Sequence, residues 1–187
     1  RLFEARQGLS LFAQCYLLRA LSLANAPPAQ VNAMVDLIAA RATVQGDTAR
    51  LPELPEYAED WWPSAHDVRT TAAGLSALLT ARPQHPLVPQ LAAALMAAQE
   101  ADGTWSNTQD NAHAVSAIAL YAQQQAAGQA HVKLSLGGKS LAEQTLTGHE
   151  ALNLRLPLGA LQPGKVQLST DGPVRYRSEE HTSELQS

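Results

Sequence analysis

The stretch QEADGTWSNTQDNAHAVSAIALY, Gln99 to Tyr121, decides the reading of this chain. Asp102-Gly103 suits a turn with positive φ, so the helix before it ends there. Trp105 follows, a large apolar ring whose single N–H needs a partner once buried. Ser106 and Gln109 have the S-x-x-Q spacing of a capping box, which predicts a new helix start. Ala112, Val115, Ala119 and Ala122 then fall at i, i+3, i+7 and i+10, one helical stripe. The expectation is that Trp105 sits at the joint of two antiparallel helices and wedges them apart, as helical hairpins are joined in an α/α toroid.

Working outward toward the N-terminus, the same logic yields more helices. Pro86 opens a helix striped by Leu91, Leu95 and Ala98. Before it, Ser64 to Leu79 predicts a helix with Asp67 three residues after the Ser64 cap. Val68, Thr71, Ala72, Leu75, Leu78 and Leu79 form its stripe, and Arg82-Pro83 ends it. Leu9 to Ala24 is apolar almost all round, which predicts a helix buried on most sides. Asn25-Ala-Pro-Pro breaks that helix, and Pro28 opens the next, striped by Val31, Met34, Val35 and Ile38. Thr43 to Pro63 reads as one long connection carrying Tyr57 and Trp61-Trp62. Connections of that length in compact domains are functional or pinned by anchors. The fifth helix is expected from about Asn107 to Ala127.

Toward the C-terminus the period changes at Gly128. Val132, Leu134 and Leu136 alternate, Gly137-Gly138 is a hairpin signal, and Leu152, Leu154 and Leu156 alternate next. Val166 and Leu168, an Asp171-Gly172 turn, then Val174 and Tyr176 complete an antiparallel β region with one buried face. The fold class expected is mainly α: a fragment of an α/α toroid followed by a partial antiparallel β-sandwich.

Composition narrows the function classes. The chain has 187 residues, 45% hydrophobic and 16% charged, with a net charge of −4. That is a globular balance with no broad basic face for nucleic acid. No apolar run approaches the roughly 18–20 residues of a membrane span. A single cysteine, Cys15, excludes an internal disulfide and a multi-cysteine metal site. Arg1 begins in mid-pattern without an initiator Met, which suggests a fragment or a processed chain.

Residues that could carry chemistry are few. His66, Asp67 and Arg69 form a small constellation, but the simpler expectation is a helix cap and a solvated first turn. Asp110 and His113 stand at i, i+3, a spacing expected of a surface pair. Neither set has further ligands at metal spacing. Trp61-Trp62-Pro63 reads as a binding platform or as a clamp on the long connection. Gln99, Gly103 and Trp105 match the Gln-Trp repeat of triterpene cyclases, yet the Asp-x-Asp-Asp run that protonates a cyclase substrate is missing. No catalytic, cofactor-binding or metal-binding residue is therefore assigned, and no cofactor is expected.

A family resemblance adds to this reading. Asp102 to Tyr121, as D-G-x-W-x-x-T-Q-x-x-A-x-A-x-x-A-x-x-x-Y, resembles the end of the thioester domain in the alpha-2-macroglobulin family, bacterial-type members above all. SAHDVRTTAAGLSALL, Ser64 to Leu79, resembles that family's S-x-x-D-V-x-x-T-A-x-x-L-x-A-L-L helix. Both are packing signatures, so they speak to fold first. The resemblance implies residues 1–129 as the C-terminal part of an α/α-toroid thioester-type domain and residues 130–176 as a partial β-sandwich. Residues 177–187, RSEEHTSELQS, resemble a translated sequencing adapter and are left out of the fold expectations.

The resemblance also implies a function: a fragment of an endopeptidase inhibitor that traps proteases after bait cleavage, this part being scaffold and not an enzyme. Target proteases would be its partners, through parts of the parent protein not present here. The parent would be periplasmic or extracellular, or membrane-anchored by an absent N-terminal segment. The family's Cys-x-Glu-Gln thioester run is missing, since Cys15 stands in Gln-Cys-Tyr-Leu, and a small buried core cysteine is expected instead. No histidine lies between Arg41 and Ser64, where complement-type relatives place one that assists thioester transfer. Two other readings stay open: a terpene-cyclase or prenyltransferase-like α/α-barrel enzyme, and a non-catalytic helical interaction module.

Overall fold

A computed structural model describes residues 1–53, 66–124, 129–148, 150, 152–155, 165–172 and 174. Among them are five α-helices and two antiparallel sheets, and the chain divides into two compact units, Arg1–Gln124 and Gln125–Ser187.

The first unit is built around one helix. Helices α1 (Leu11–Leu23) and α2 (Pro28–Ala39) come first. Strands β1 (Thr43–Gln45) and β2 (Thr48–Arg50) precede α3 (His66–Ala81), and α4 (Leu87–Ala97) and α5 (Thr108–Gln124) follow it. From Thr70 to Leu79 every residue of α3 except Ser76 is buried, and α1, α2, α4, α5 and β2 all pack against it. Ala72, Ala73, Gly74 and Ala77 make this possible, because small side chains let neighbouring elements approach an axis closely. Gly74 is the tightest case: a Cβ there would collide with Leu51 Cδ1. Leu51, just after β2, is fully buried, and its backbone N–H donates to Thr71 Oγ1 at 3.0 Å.

Three sequence expectations change here. The connection from Thr43 is not structureless, because it opens with the β1–β2 hairpin, Gln45 paired to Thr48 across Gly46-Asp47. Gly46 has φ +61°, which suits the first position of a tight hairpin turn. The hairpin was hidden because its strands are short and polar, with Val44 exposed. Helix α1 is buried on one face only, through Leu11, Gln14, Cys15 and Leu18, while Tyr16 and Leu23 are exposed. The stripe of α5 is also out of phase with the expectation: Asp110, Ala114 and Ala117 are buried and Val115 is exposed. The stripes of α2 and α4 do match, with Met34, Val35 and Ile38 and then Leu91 and Leu95 in the core. Pro28 opens α2, as expected of a residue with no N–H to lose at a helix start. Ser64, the Trp61-Trp62 pair and Tyr57 lie outside the described residues.

The second unit holds β3 (Gln129–Leu136), β4 (Lys139–Thr147) and β5 (Val166–Thr170), in the order β4-β3-β5. Gly137 and Gly138 have φ of +55° and +84° and close the β3–β4 turn, the geometry a primed hairpin turn demands. Ala130 and Val132 are buried on one face of β3. A bulge between Leu134 and Ser135 then breaks the alternation, leaving Leu134 and Leu136 partly exposed. On the other face, His131 Nε2 meets Glu143 Oε1 at 3.0 Å and Lys133 Nζ meets Glu143 Oε2 at 3.5 Å. The hydrogen bond from His131, with Lys133 beside it, holds the Glu143 carboxyl below its ordinary range. Strand β4 is the second arm of the hairpin that Gly137-Gly138 signals, although Lys139, Ser140, Glu143 and Gln144 dilute its apolar residues. The strand expected at Leu152–Leu156 is not one where it is described: residues 152–155 carry no regular structure.

Candidate functional site

The residues singled out by sequence fall into two places: the α4–α5 joint and a groove between α1, α3 and α5. At the joint, α4 ends at Ala97 and leaves its last carbonyls without helical partners. The Ala98 N–H takes Ala94 O at 3.0 Å, and the Trp105 indole Nε1 donates to Leu95 O at 2.9 Å. Trp105 therefore fills the joint with its ring, 5% exposed, and caps the preceding helix with its N–H. This is the partner the sequence reading required.

The turn that delivers Trp105 is held by hydrogen bonds from both backbone and side chains. Gly103, at φ +88°, donates to Glu100 O at 3.0 Å, and Glu100 N–H donates to Thr104 O at 2.8 Å. Asp102 Oδ1 accepts from Thr104 N–H at 2.9 Å and from Thr104 Oγ1 at 2.7 Å, which holds the Asp102 carboxyl below its ordinary range. Gln99 Nε2 donates to Gly103 O at 2.6 Å. Asn111, one turn into α5, accepts from Trp105 N–H at 3.1 Å and donates to Trp105 O at 2.9 Å. Its amide pairs with both backbone groups of Trp105 as a neighbouring strand would. Gln99, Gly103 and Trp105 thus serve one another and the helix ends.

The cap of α5 sits one residue later than expected. Asn107, not Ser106, precedes the helix, and Asn107 Oδ1 accepts from Asp110 N–H at 2.9 Å. The Asp110 carboxylate answers by accepting from Asn107 Nδ2 at 2.7 Å and from Ser106 Oγ at 2.8 Å. This is a variant of the capping box in N-x-x-D form, in which Asp110 takes the Asn107 side-chain amide and not its backbone N–H. It also corrects the surface-pair expectation for Asp110, which is 1% exposed.

In the groove, α1 and α5 are the walls and α3 is the floor. Tyr16 and Arg19 lie on one wall, and Ala112, His113 and Ser116 on the other. Cys15, Ala73 and Ser76 lie between them, and the groove, open to solvent, has a volume of about 260 Å³. The Arg69 guanidinium stands 4.9 Å over the Phe12 ring and donates to Gln109 Oε1 at 3.1 Å. Phe12 packs on Tyr16 at 4.9 Å, and His113 meets both rings edge-on, at 5.4 and 6.4 Å. Burial is the main cause that lowers the His113 pKa; Arg69 adds to it and Asp110 opposes it.

Cys15 lies beneath this groove, fully buried. Desolvation, with the charge of Glu53 behind it, pushes the thiol far above its ordinary range. A thiol so protonated is a packing residue and no nucleophile. Asp67 and Arg69 do not converge: Arg69 turns to Phe12 and Gln109, whereas Asp67 faces Thr43, Thr48 and Arg50 of the hairpin side. Successive helical residues differ by about 100° in direction, so neighbours in sequence part company. The His66 side chain and Trp61-Trp62 lie outside the described residues. Among the described residues, no group of three or more His, Cys, Asp or Glu side chains is placed to hold a metal ion.

Two residues that organise these sites went unread in the sequence. Glu53 accepts from the Leu11 and Phe12 N–H groups at 2.8 and 3.0 Å, so a residue about forty positions away joins Ser10 in capping α1. Only the fold reveals such a cap. Asn111 was legible in principle, because an amide six residues after a turn tryptophan can reach back over a helix start.

No family model matches the chain. It is similar to the "Alpha-2-macroglobulin homolog" of Nostoc sp. (strain PCC 7120), 26% identical over 182 residues that cover 94% of this chain and 9% of that protein. The chain thus spans under a tenth of the length of the curated relative it matches, and that likeness supports the alpha-2-macroglobulin suggestion at the level of family.

Proposed function

We propose that this chain is part of an alpha-2-macroglobulin-like endopeptidase inhibitor and serves it as scaffold. The helical unit would be the closing part of an α/α toroid of the thioester-domain type, and the β unit part of a β-sandwich. One observation carries the reading: a likeness covering 94% of the chain must run through both units. The wired Trp105 joint supports it, since its residues hold a helix pair in register and leave no group poised for chemistry. A cyclase-like reading draws no such support, because the Trp105 N–H is spent on Leu95 O inside the joint.

By kinship, a protease would cut a bait segment elsewhere in the parent, the parent would rearrange, and the protease would be caged. The parent would work in the periplasm or outside the cell. Two measurements test this. The parent protein, mixed with a protease, should block cleavage of a large protein substrate while a small peptide substrate is still cut. The present chain alone should protect neither. Stoichiometric protection of the large substrate by this chain alone would overturn the scaffold assignment, and failure of the parent to cage would overturn the family function.

A further inference from the structure

We propose that the groove between α1 and α5 binds a small aromatic carboxylate, with the carboxylate on Arg19 and the ring against Tyr16 and His113. The inference goes beyond the scaffold reading and does not depend on it.

Three features carry it. The floor is made of small side chains, Ala73 and Ser76 with Ala112 beside them, so the walls do not close on each other. The space left, about 260 Å³, compares with a volume near 30 Å³ per liquid water, so it suits a ligand of one ring and a short acid. The walls offer the right surfaces. Tyr16 and His113 pack edge-on against each other, at 89° and 6.4 Å between ring centres, and together form one aromatic surface beside the groove. Aromatic rings prefer such tilted partners. The Ser116 hydroxyl donates to Ala112 O at 2.7 Å, which leaves its oxygen free to accept.

The charge pattern selects an acid. The chain carries −4 overall, yet among the described residues those lining the groove include a guanidinium and no carboxylate. Among the described residues Arg19 makes no ion pair and no side-chain hydrogen bond. The carboxylate that Cys15 senses from below, Glu53, is already engaged with the Leu11 and Phe12 amides. A cation at one end, two rings in the middle and hydroxyls along the side match a ligand that is flat, apolar and singly negative.

The test uses the full chain, isotope-labelled, titrated with 3-phenylpropionate and separately with its neutral analogue 3-phenylpropan-1-ol. Saturable shifts confined to α1, α3 and α5, with the acid the tighter ligand, are expected. Arg19→Gln should weaken the acid by about five-fold, the worth of one exposed ion pair, and leave the alcohol unchanged. Ser116→Leu, which fills the groove and keeps the charge, should abolish both. Equal binding of acid and alcohol, shifts scattered over both units, or full binding by the Ser116→Leu chain would each overturn the proposal.

Discussion

Replacing Trp105 tests the joint most directly, because the ring and its N–H do separable work. A buried tryptophan removes roughly 150–250 Å² from water, so at about 25 cal/mol per Å² the ring contributes up to about 4–6 kcal/mol. The unfolded chain already hides part of that area, which lowers the figure. Trp105→Ala is therefore expected to cost about 3–5 kcal/mol, the range of buried aromatic deletions. Trp105→Phe keeps most of the ring and loses the bond to Leu95 O. The orphaned carbonyl at the end of α4 then sets the cost, about 1–3 kcal/mol. Urea unfolding followed by helical circular dichroism measures both. The order Ala, then Phe, then wild type is the expected ranking of increasing stability. A cost below about 1 kcal/mol for the alanine variant would show that the ring does not hold the joint. Equal costs for the two variants would show that the N–H, and not the ring, is what matters.

Other substitutions probe the remaining contacts. Gly74→Ala gains up to about 1 kcal/mol of helix propensity but drives a Cβ into Leu51, so a net loss of about 1–3 kcal/mol is expected in the same assay, and a net gain would mean Leu51 can move aside. Asn111→Ala should cost about 1–3 kcal/mol by stripping both backbone partners from Trp105, and an unchanged urea midpoint would refute the clamp. His113 gives a pH dependence. Its pKa is lowered on folding, so the unfolded chain binds the extra proton more readily, and the stabilisation is complete above the ordinary value of 6.5 and lost as pH falls below it. Unfolding midpoints at several pH values should therefore fall more steeply below 6.5 for the wild type than for His113→Phe, and parallel curves would remove His113 as the cause.

What the sequence made legible was local chemistry. Gly137-Gly138, Pro28, Arg82-Pro83 and the Asp102-Gly103-x-Trp105 turn each constrain a few bonds, and a few bonds can be read from a few residues. Phase was harder. Helix α5 carries alanine on several faces, at 112, 114, 117, 119 and 122, so an apolar stripe can be drawn more than one way. The Asn107 cap and the Trp105 anchor choose among them, and that choice is made in space. Strands β1 and β2 escaped notice because their side chains are mostly polar, and pairing rather than burial defines them. The groove was invisible for the same reason. Phe12 and His113 are about a hundred positions apart, and only a shared floor on α3 brings them together.

The placement of α3 at the centre of the first unit has a consequence for how the chain folds as it is made. Helices α1 and α2 are synthesised before α3, yet the surface α1 covers arrives some fifty residues later. Until Leu75 and Leu78 have been added, Leu11, Leu18, Met34 and Ile38 can bury only against one another across the α1–α2 pair. The Glu53 cap of α1 also comes late. At a synthesis rate of about 5–20 residues per second, the early hairpin waits for seconds with its apolar face in water. The contacts that finally close are distant in sequence, so their loop entropy must be overcome before any of them stabilises the fold. Nascent chains that end between α2 and α3 should therefore be ones that holdase chaperones retain, and release should coincide with the emergence of α3.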